Sequence, residues 1–264
     1  MKNKSIHPSA IIEPGAKLAD NVTIGPFSYI GSEVTLHSGV EIKSHVVLKG
    51  KTEIGQETKI YPFSVIGEIP QDLKFCGEKT CLKIGKRNQI RENVTINTGT
   101  EGGGGLTSVG NDCLFMTGSH VAHDVEINNN VIIANCGAVA GHCVIEDDVI
   151  IGGLSGIHQF VRVGRGAIIG AVTMVTNDVI PFGLVQGPRG SLAGLNIIGL
   201  KRRGVQRDDI TALRAAFQAL AQDEGTFHDR AKKLGEETTS EYVEAIVNFI
   251  LVGSNRSFLT PGDF

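Results

Sequence analysis

Tryptophan is absent from the 264 residues, and only 3 tyrosines and 11 phenylalanines are present. A layered domain packed around aromatic rings is therefore not expected, because the side chains that bury the largest areas are scarce. No run of about 18 apolar residues occurs, which excludes an integral membrane helix from the expectation. The opening Met1-Lys2-Asn3-Lys4-Ser5 leads into a patterned segment and not into the apolar core of a signal peptide, so a soluble, cytoplasmic protein is predicted. Cysteines number 5, without a C-x-x-C pair, which argues against a disulfide framework or a cysteine zinc site. Cys76, Cys81, Cys113, Cys136 and Cys143 are expected as buried thiols. A net charge of −3 argues against a nucleic-acid partner.

What is abundant is glycine, with 34 residues, and β-branched aliphatics, with 28 Ile and 24 Val. Every sixth position from Ile6 to Ile66 is Ile or Leu, eleven in succession. The same register resumes at Ile84, Ile90 and Ile96, and again from Val109 through Val175, where Phe115 alone is not aliphatic. A helix turning 100° per residue rotates such a residue about 240° at each step, so no helical face collects it. A short strand plus one corner fits six residues, and three such units close a triangular coil of 18. This is the hexapeptide parallel β-helix, in which a coil buries its apolar edge only against a stacked neighbour. Small residues before the aliphatic (Ser9-Ala10, Gly15-Ala16) and Gly after it (Gly25, Gly55, Gly85) suit tight corners and close backbone approach. The left hand of the coil is implied by resemblance to hexapeptide proteins, since the usual crossover rule gives the right hand. Flat, weakly charged faces predict lateral packing into a homotrimer.

Two insertions interrupt the coil, Gly67 to Lys83 and Asn97 to Ser108, the second with the run Gly102-Gly103-Gly104-Gly105. Long loops on rigid scaffolds are functional or disordered, and a flexible corner is the plainer reading of the glycine run. Near residue 185 the composition shifts. Asp208-Asp209 can cap a stripe of Ile210, Leu213, Phe217 and Leu220, and Tyr242, Ala245, Ile246, Phe249 and Ile250 form another. The expected architecture is mainly β, a left-handed parallel β-helix over 1–185, followed by an α-helical domain over 186–264.

Four of the 8 histidines cluster at His120, His123, His142 and His158. Residues 18 apart stack at about 4.8 Å, which puts Gly141 over His123, His142 over Asp124 and Gln159 over Gly141. A histidine beside a carboxylate with a glycine one coil above suits acyl transfer. Imidazole can take a hydroxyl proton near neutral pH, Asp124 can fix its tautomer, and the Gly141 N–H can stabilise an oxyanion. An outer ladder of histidines without catalytic role remains open on geometry alone. A three-histidine zinc site like that of gamma-class carbonic anhydrases is disfavoured by the spacing of three and then 19, so no metal and no cofactor is expected.

The segments His120-Val121-Ala122-His123-Asp124, Ala140-Gly141-His142, Ile157-His158-Gln159-Phe160 and Asn196-Ile197-Ile198-Gly199-Leu200-Lys201-Arg202-Arg203-Gly204 closely resemble the acyl-ACP:UDP-N-acetylglucosamine O-acyltransferases, which start lipid A synthesis. The resemblance spans the whole chain, both insertions included. It implies His123 as general base, Asp124 as its assistant and Gly141 in the oxyanion hole. It implies that Gln71, Asp72 and Lys74 hold the glucosamine, with His120 and His142 at the sugar and pantetheine side of the cleft. His158, Gln159, Asn196, Arg202 and Arg203 match groups around uridine and diphosphate, in a site between two subunits of a trimer. The implied partners are acyl carrier protein bearing a 3-hydroxyacyl chain and a UDP-sugar, with Lys201, Arg202, Arg162 or Arg165 available to the acidic carrier. Ala171 stands where enzymes selective for long chains have Gly, which predicts a chain of intermediate length. Ile198 stands where relatives often have Glu. The alternatives are a 3-amino UDP-sugar as acceptor, the later N-acyltransferase of the pathway, whose extra N-terminal domain has no counterpart before Ile6, a CoA-dependent hexapeptide acetyltransferase, and a non-enzymatic solenoid.

Overall fold

The computed structural model describes residues 5–222, 225–253 and 256–261. Residues 1–4, read above for the absence of a signal core, lie outside these, as does the end of the expected helical domain at 262–264. Each hexad is one short strand and one corner, as in Thr23–Ile24, Tyr29–Ile30 and Thr35–Leu36. Eighteen residues on, the chain returns above itself: Thr23 pairs with Glu41 and Ile24 with Ile42, in parallel. The three sides of the left-handed coil thus build sheets of 11, 9 and 8 strands, here the first, second and third faces in chain order.

The inward position of every hexad explains the aliphatic period. From Ile24 to Val175 these side chains are at most 5% exposed, Phe115 among them. Ile6, at the open end where no coil stacks below, is 40% exposed. Two positions earlier, a second small side chain also turns inward, such as Val22, Val40 and Val46. Several polar residues at this position donate to the next coil, as Ser64 Oγ does to the Arg91 carbonyl at 2.7 Å and Thr58 Oγ1 to the Gly85 carbonyl at 3.0 Å. Cys113 and Cys143 occupy this position, and burial pushes their thiols up to about 11 and about 12. The expectation of five buried thiols fails for Cys76 and Cys136, which are exposed, and for Cys81, which is half-buried. Cys76 rides on the first insertion and Cys136 on an outward corner with φ of +56°.

Glycine after the aliphatic serves close approach more than turning. A Cβ on Gly55 would lie 2.4 Å from the Gly85 carbonyl oxygen, and one on Gly85 would lie 2.4 Å from that of Gly110. The left-handed corner conformation itself is mostly held by other residues, including Asn21, Glu57, Asp124, His142 and Phe160.

Both insertions leave from the same corner, between the second and third faces. The first runs from Val65–Glu68 to Cys81–Ile84 and the second from Thr95–Asn97 to Leu106–Val109. Across them the coil keeps its register, with Ile84 paired to Ile54 below and Val109 above. At the far end, Gly183–Gln186 adds a parallel strand to the first face and Ser191–Leu195 folds back antiparallel on it. Among the described residues four helices follow: α1 (Ile197–Arg202), α2 (Arg207–Leu220), α3 (Phe227–Glu237) and α4 (Glu241–Leu251). Arg162 ties them to the coil. Its Nε lies 2.7 Å from Asp178 Oδ2, an Nη donates to the Phe249 carbonyl, and the guanidinium sits 4.5 Å over the Phe249 ring. Arg165 lies against Phe182 and Tyr242. Both arginines lie at this joint. Among the described residues, no helix is long and apolar enough to cross a membrane.

Truncating a fully buried hexad residue leaves a cavity that flanking coils cannot fill. Ile133→Ala is expected to lower the unfolding free energy by about 2–5 kcal/mol in a denaturant titration, and Ile6→Ala by well under that. Equal losses at the two positions would contradict the core assignment.

Candidate active site at one corner of the coil

The insertions and the histidine cluster share one column. Ascending the corner between the second and third faces, successive coils present the first insertion, the second insertion, His123-Asp124, Gly141-His142 and His158-Gln159-Phe160. Asp124, His142 and Phe160, 18 residues apart, adopt φ of +58°, +62° and +66°. Their side chains are thereby turned the same way from consecutive coils.

At the centre, His123 Nδ1 lies 2.8 Å from Asp124 Oδ2, and the two side chains are 8% and 1% exposed. His142 Nδ1 is 3.7 Å from the same oxygen. The His142 ring meets His123 edge-on at 5.0 Å and stacks on Phe160 at 4.5 Å, nearly parallel. Gly141 must be glycine, since a Cβ there would lie 2.5 Å from His123 Cε1. Its N–H makes no hydrogen bond among the described residues. His120, on the second face one step before the corner, shares a 2.7 Å hydrogen bond through Nδ1 with Thr95 Oγ1.

The second insertion closes over the carboxylate. Thr100 donates its N–H to Asp124 Oδ1 at 2.8 Å and its hydroxyl to Oδ2 at 2.5 Å, and the Asp124 N–H donates to Thr107 Oγ1 at 2.8 Å. Gly103 lies so near that a Cβ would fall 2.1 Å from Asp124 Cγ. The glycine run read as a flexible corner therefore includes a glycine packed on the carboxylate, within the short 3-10 turn Glu101–Gly103. On the first insertion, Asp72 Oδ1 accepts the Lys74 N–H at 3.0 Å, and its charge acts on His142. Gln71 and Lys74 are exposed on the same loop, whose Leu73 is fully exposed.

Other expected residues fall elsewhere in the chain. Asn196 is 7% exposed and caps α1: its Oδ1 accepts the Gly199 N–H at 2.9 Å and its Nδ2 donates to the Gly166 carbonyl at 3.0 Å. Arg202 and Arg203 border a cleft of about 450 Å³ walled by Ile150, Ile168, Leu184 and the exposed Ile198. This cleft lies against the first face, across the triangular section from His123. Ala171 is exposed at a third place, the corner between the first and second faces.

Two neighbours of the cluster had no signal in the sequence. Thr100 lies in an insertion without register. Arg256, 98 residues beyond His158, places Nη2 2.7 Å from His158 Nδ1 and donates Nε–H to the Gln159 carbonyl at 3.1 Å. Arginine stays protonated and can only donate, so His158 Nδ1 is the acceptor in this contact. Phe160, in contrast, is 18 residues from His142, and the coil arithmetic reaches it.

His123, Asp124 and His142 also offer ligand atoms within 4.8 Å of one another, a spacing a metal ion can span. Asp124 already accepts from His123 and Thr100, and an ion would have to displace those bonds.

Burial lowers the pKa of both His120 and His142, against the opposing Thr95 contact in the first and the Asp124 charge in the second. Since the folded values lie below the usual 6.5, the unfolded chain takes up these protons first as the pH falls below that value, and stability is lost there. In a histidine-resolved NMR titration both midpoints are expected below 6.5, and a midpoint above it for either would contradict the burial argument.

Comparison with known proteins places this geometry among relatives. A family model described as UDP N-acetylglucosamine O-acyltransferase, domain 2, matches residues 178–259, and one for bacterial transferase hexapeptide repeats matches residues 15–50. The acyl-[acyl-carrier-protein]–UDP-N-acetylglucosamine O-acyltransferase of Paracoccus denitrificans is 63% identical over 76% of this chain and 77% of its own length. The like-named protein of Agrobacterium fabrum is 42% identical over 97% of this chain and 95% of its own. The structure of UDP-N-acetylglucosamine acyltransferase from Campylobacter jejuni superposes with a TM-score of 0.92 at 37% identity, covering 98% of this chain and 100% of that one.

Proposed function

The chain belongs to the acyl-ACP–UDP-N-acetylglucosamine O-acyltransferase family, and from that membership we propose the reaction and the residues that perform it. The enzyme moves an (R)-3-hydroxyacyl group from acyl carrier protein to the 3-position of UDP-N-acetylglucosamine, the first step of lipid A biosynthesis. A cytoplasmic location goes with a carrier-protein donor and a nucleotide-sugar acceptor.

The observation that carries the chemistry is the buried His123–Asp124 pair beneath an obligatory glycine. With Asp124 accepting from Nδ1–H, His123 Nε2 holds the lone pair and removes the proton of the sugar 3-hydroxyl. The oxygen attacks the thioester carbon, and the free N–H of Gly141 donates to the resulting oxyanion. Collapse breaks the carbon–sulfur bond and releases the carrier thiolate, which takes the proton from the His123 imidazolium. Asp72 and Lys74, with Gln71, hold the glucosamine from the first insertion, and His142 and His120 bound the same space. The outward column of the second face between the His123 corner and Ala171 contains Ala138 and Gly156, with the Met174 side chain lying over Gly156, and we assign the acyl chain to this apolar surface.

Asn196, Arg202 and Arg203 take the nucleotide end through a second copy of the chain. Arg202 and Arg203 present planar donor forks suited to a diphosphate, whereas Asn196, spent on its cap, orders the loop that carries them. Two facts support a homotrimer. The first face carries the half-buried outward ladder Leu114, Ile132, Ile150, Ile168 and Leu184, and the cationic cleft lies on that face while the base lies at the opposite corner.

His123→Ala is expected to lower kcat by about 10²–10⁴, measured with acyl carrier protein and UDP-N-acetylglucosamine, with the ester product verified by mass spectrometry. Turnover near that of the unaltered enzyme would end the assignment of the base. Ala171→Gly is expected to shift the preferred acyl chain to greater length in a ladder of carriers, because a single methylene in a pocket is worth about 1–3 kcal/mol. An unchanged preference would remove Ala171 from the end of the acyl-chain surface.

A further inference from the structure

We infer that the second insertion is part of the catalytic apparatus, and that Thr100 is the positioning residue that aims the Asp124 carboxylate at His123. The inference rests on reading His123 as the base. Asp124 alone on a corner has a rotatable carboxyl that two rings, His123 and His142, compete for. Thr100 resolves the competition by gripping both oxygens at once, N–H to Oδ1 and O–H to Oδ2. Thr100 is itself 8% exposed, so water does not replace these donors.

The consequence for the base follows from donor and acceptor accounting. A hydroxyl that donates to Oδ2 keeps that oxygen an acceptor, and His123 at 2.8 Å must then present Nδ1–H to it. The other ring nitrogen is left unprotonated, which is the form the reaction uses. The loop is shaped for this contact. Gly99 and Gly103 both lie within reach of the carboxylate where any Cβ would collide, at 2.8 Å from Oδ1 and 2.1 Å from Cγ. Thr107, at the start of the next strand, takes the Asp124 N–H and pins its backbone from the same insertion. These residues contact Asp124, so their contribution is to geometry and tautomer.

The test compares Thr100→Val, which keeps shape and backbone N–H but removes the hydroxyl, with Thr100→Ser, which restores it. Steady-state kinetics on the full chain are expected to show kcat about 10- to 100-fold lower in Thr100→Val. KM for both substrates should stay within about twofold, and Thr100→Ser should be close to the unaltered enzyme. Nitrogen-15 NMR of the unaltered protein is expected to show His123 protonated at Nδ1. The inference is overturned by a Thr100→Val enzyme of normal kcat, by a Thr100→Ser enzyme as slow as Thr100→Val, by a change confined to KM, or by His123 protonated at Nε2. Should Thr100→Val fail to fold, Thr100→Ser and the tautomer of the unaltered protein still decide. An active His123→Ala enzyme would instead remove the base itself, a different failure from an inactive His123→Ala enzyme beside a Thr100→Val enzyme of normal kcat.

Discussion

Stacking of each coil on the next through main-chain hydrogen bonds at an 18-residue repeat governs everything else in this molecule. It makes the solenoid stiff, because each rung is bonded to a rung below and a rung above. It also fixes which residues can ever meet. A corner residue finds its neighbours beside it in the chain or close to 18 positions away, unless the chain leaves the coil and comes back. The two insertions are such departures, and they cost the coil nothing: Ile54, Ile84 and Val109 still stack in line across both. Both emerge at the histidine corner, where they add residues that the register could not supply.

The chemistry at that corner depends on dryness as much as on distance. A carboxylate 1% exposed and a histidine 8% exposed interact far more strongly than the same pair in water. Removing water also disfavours the charged form of the flanking rings, which is why His120 and His142 are pushed toward neutrality. In the proposed reaction, neutral flanking imidazoles leave the acid–base work to His123, the ring that holds the shorter contact with the carboxylate. The insertion over Asp124 provides much of this cover, and its close glycines show how little space separates loop from carboxylate.

The fold was legible in the sequence because the inward hexad position tolerates only aliphatic bulk, and the side chains from Ile24 to Val175 keep to it. The neighbours of His123 in the column were legible by counting in eighteens. Counting fails wherever the chain leaves the register. Thr100 lies in a loop of no fixed period, and Arg256 reaches His158 from the far end of the helical region. The glycines were half understood: their lack of a Cβ serves approach between coils at Gly55 and Gly85, while Asp124, His142 and Phe160 hold the left-handed corners. Arg162 and Arg165 looked like free surface cations, yet their partners, Asp178, Phe249, Phe182 and Tyr242, belong to the joint with the helices. The substrates were never in the spacing of residues and came with the family.

The same stiffness keeps the His123 corner and the Arg202–Arg203 cleft on opposite sides of one chain. In the proposed reaction the base sits at the corner between the second and third faces, and the stacked rungs hold it away from Arg202 and Arg203 on the first. The proposed enzyme therefore works only where the corner of one copy meets the first face of another. Mixing two inactive variants, His123→Ala and Arg203→Ala, tests this directly. After unfolding and joint refolding at equal amounts, about one quarter of the sites in random trimers receive both an intact His123 and an intact Arg203. The account predicts activity well above the sum of the two variants refolded apart. Activity no greater than that sum, in trimers shown to be mixed, would contradict it.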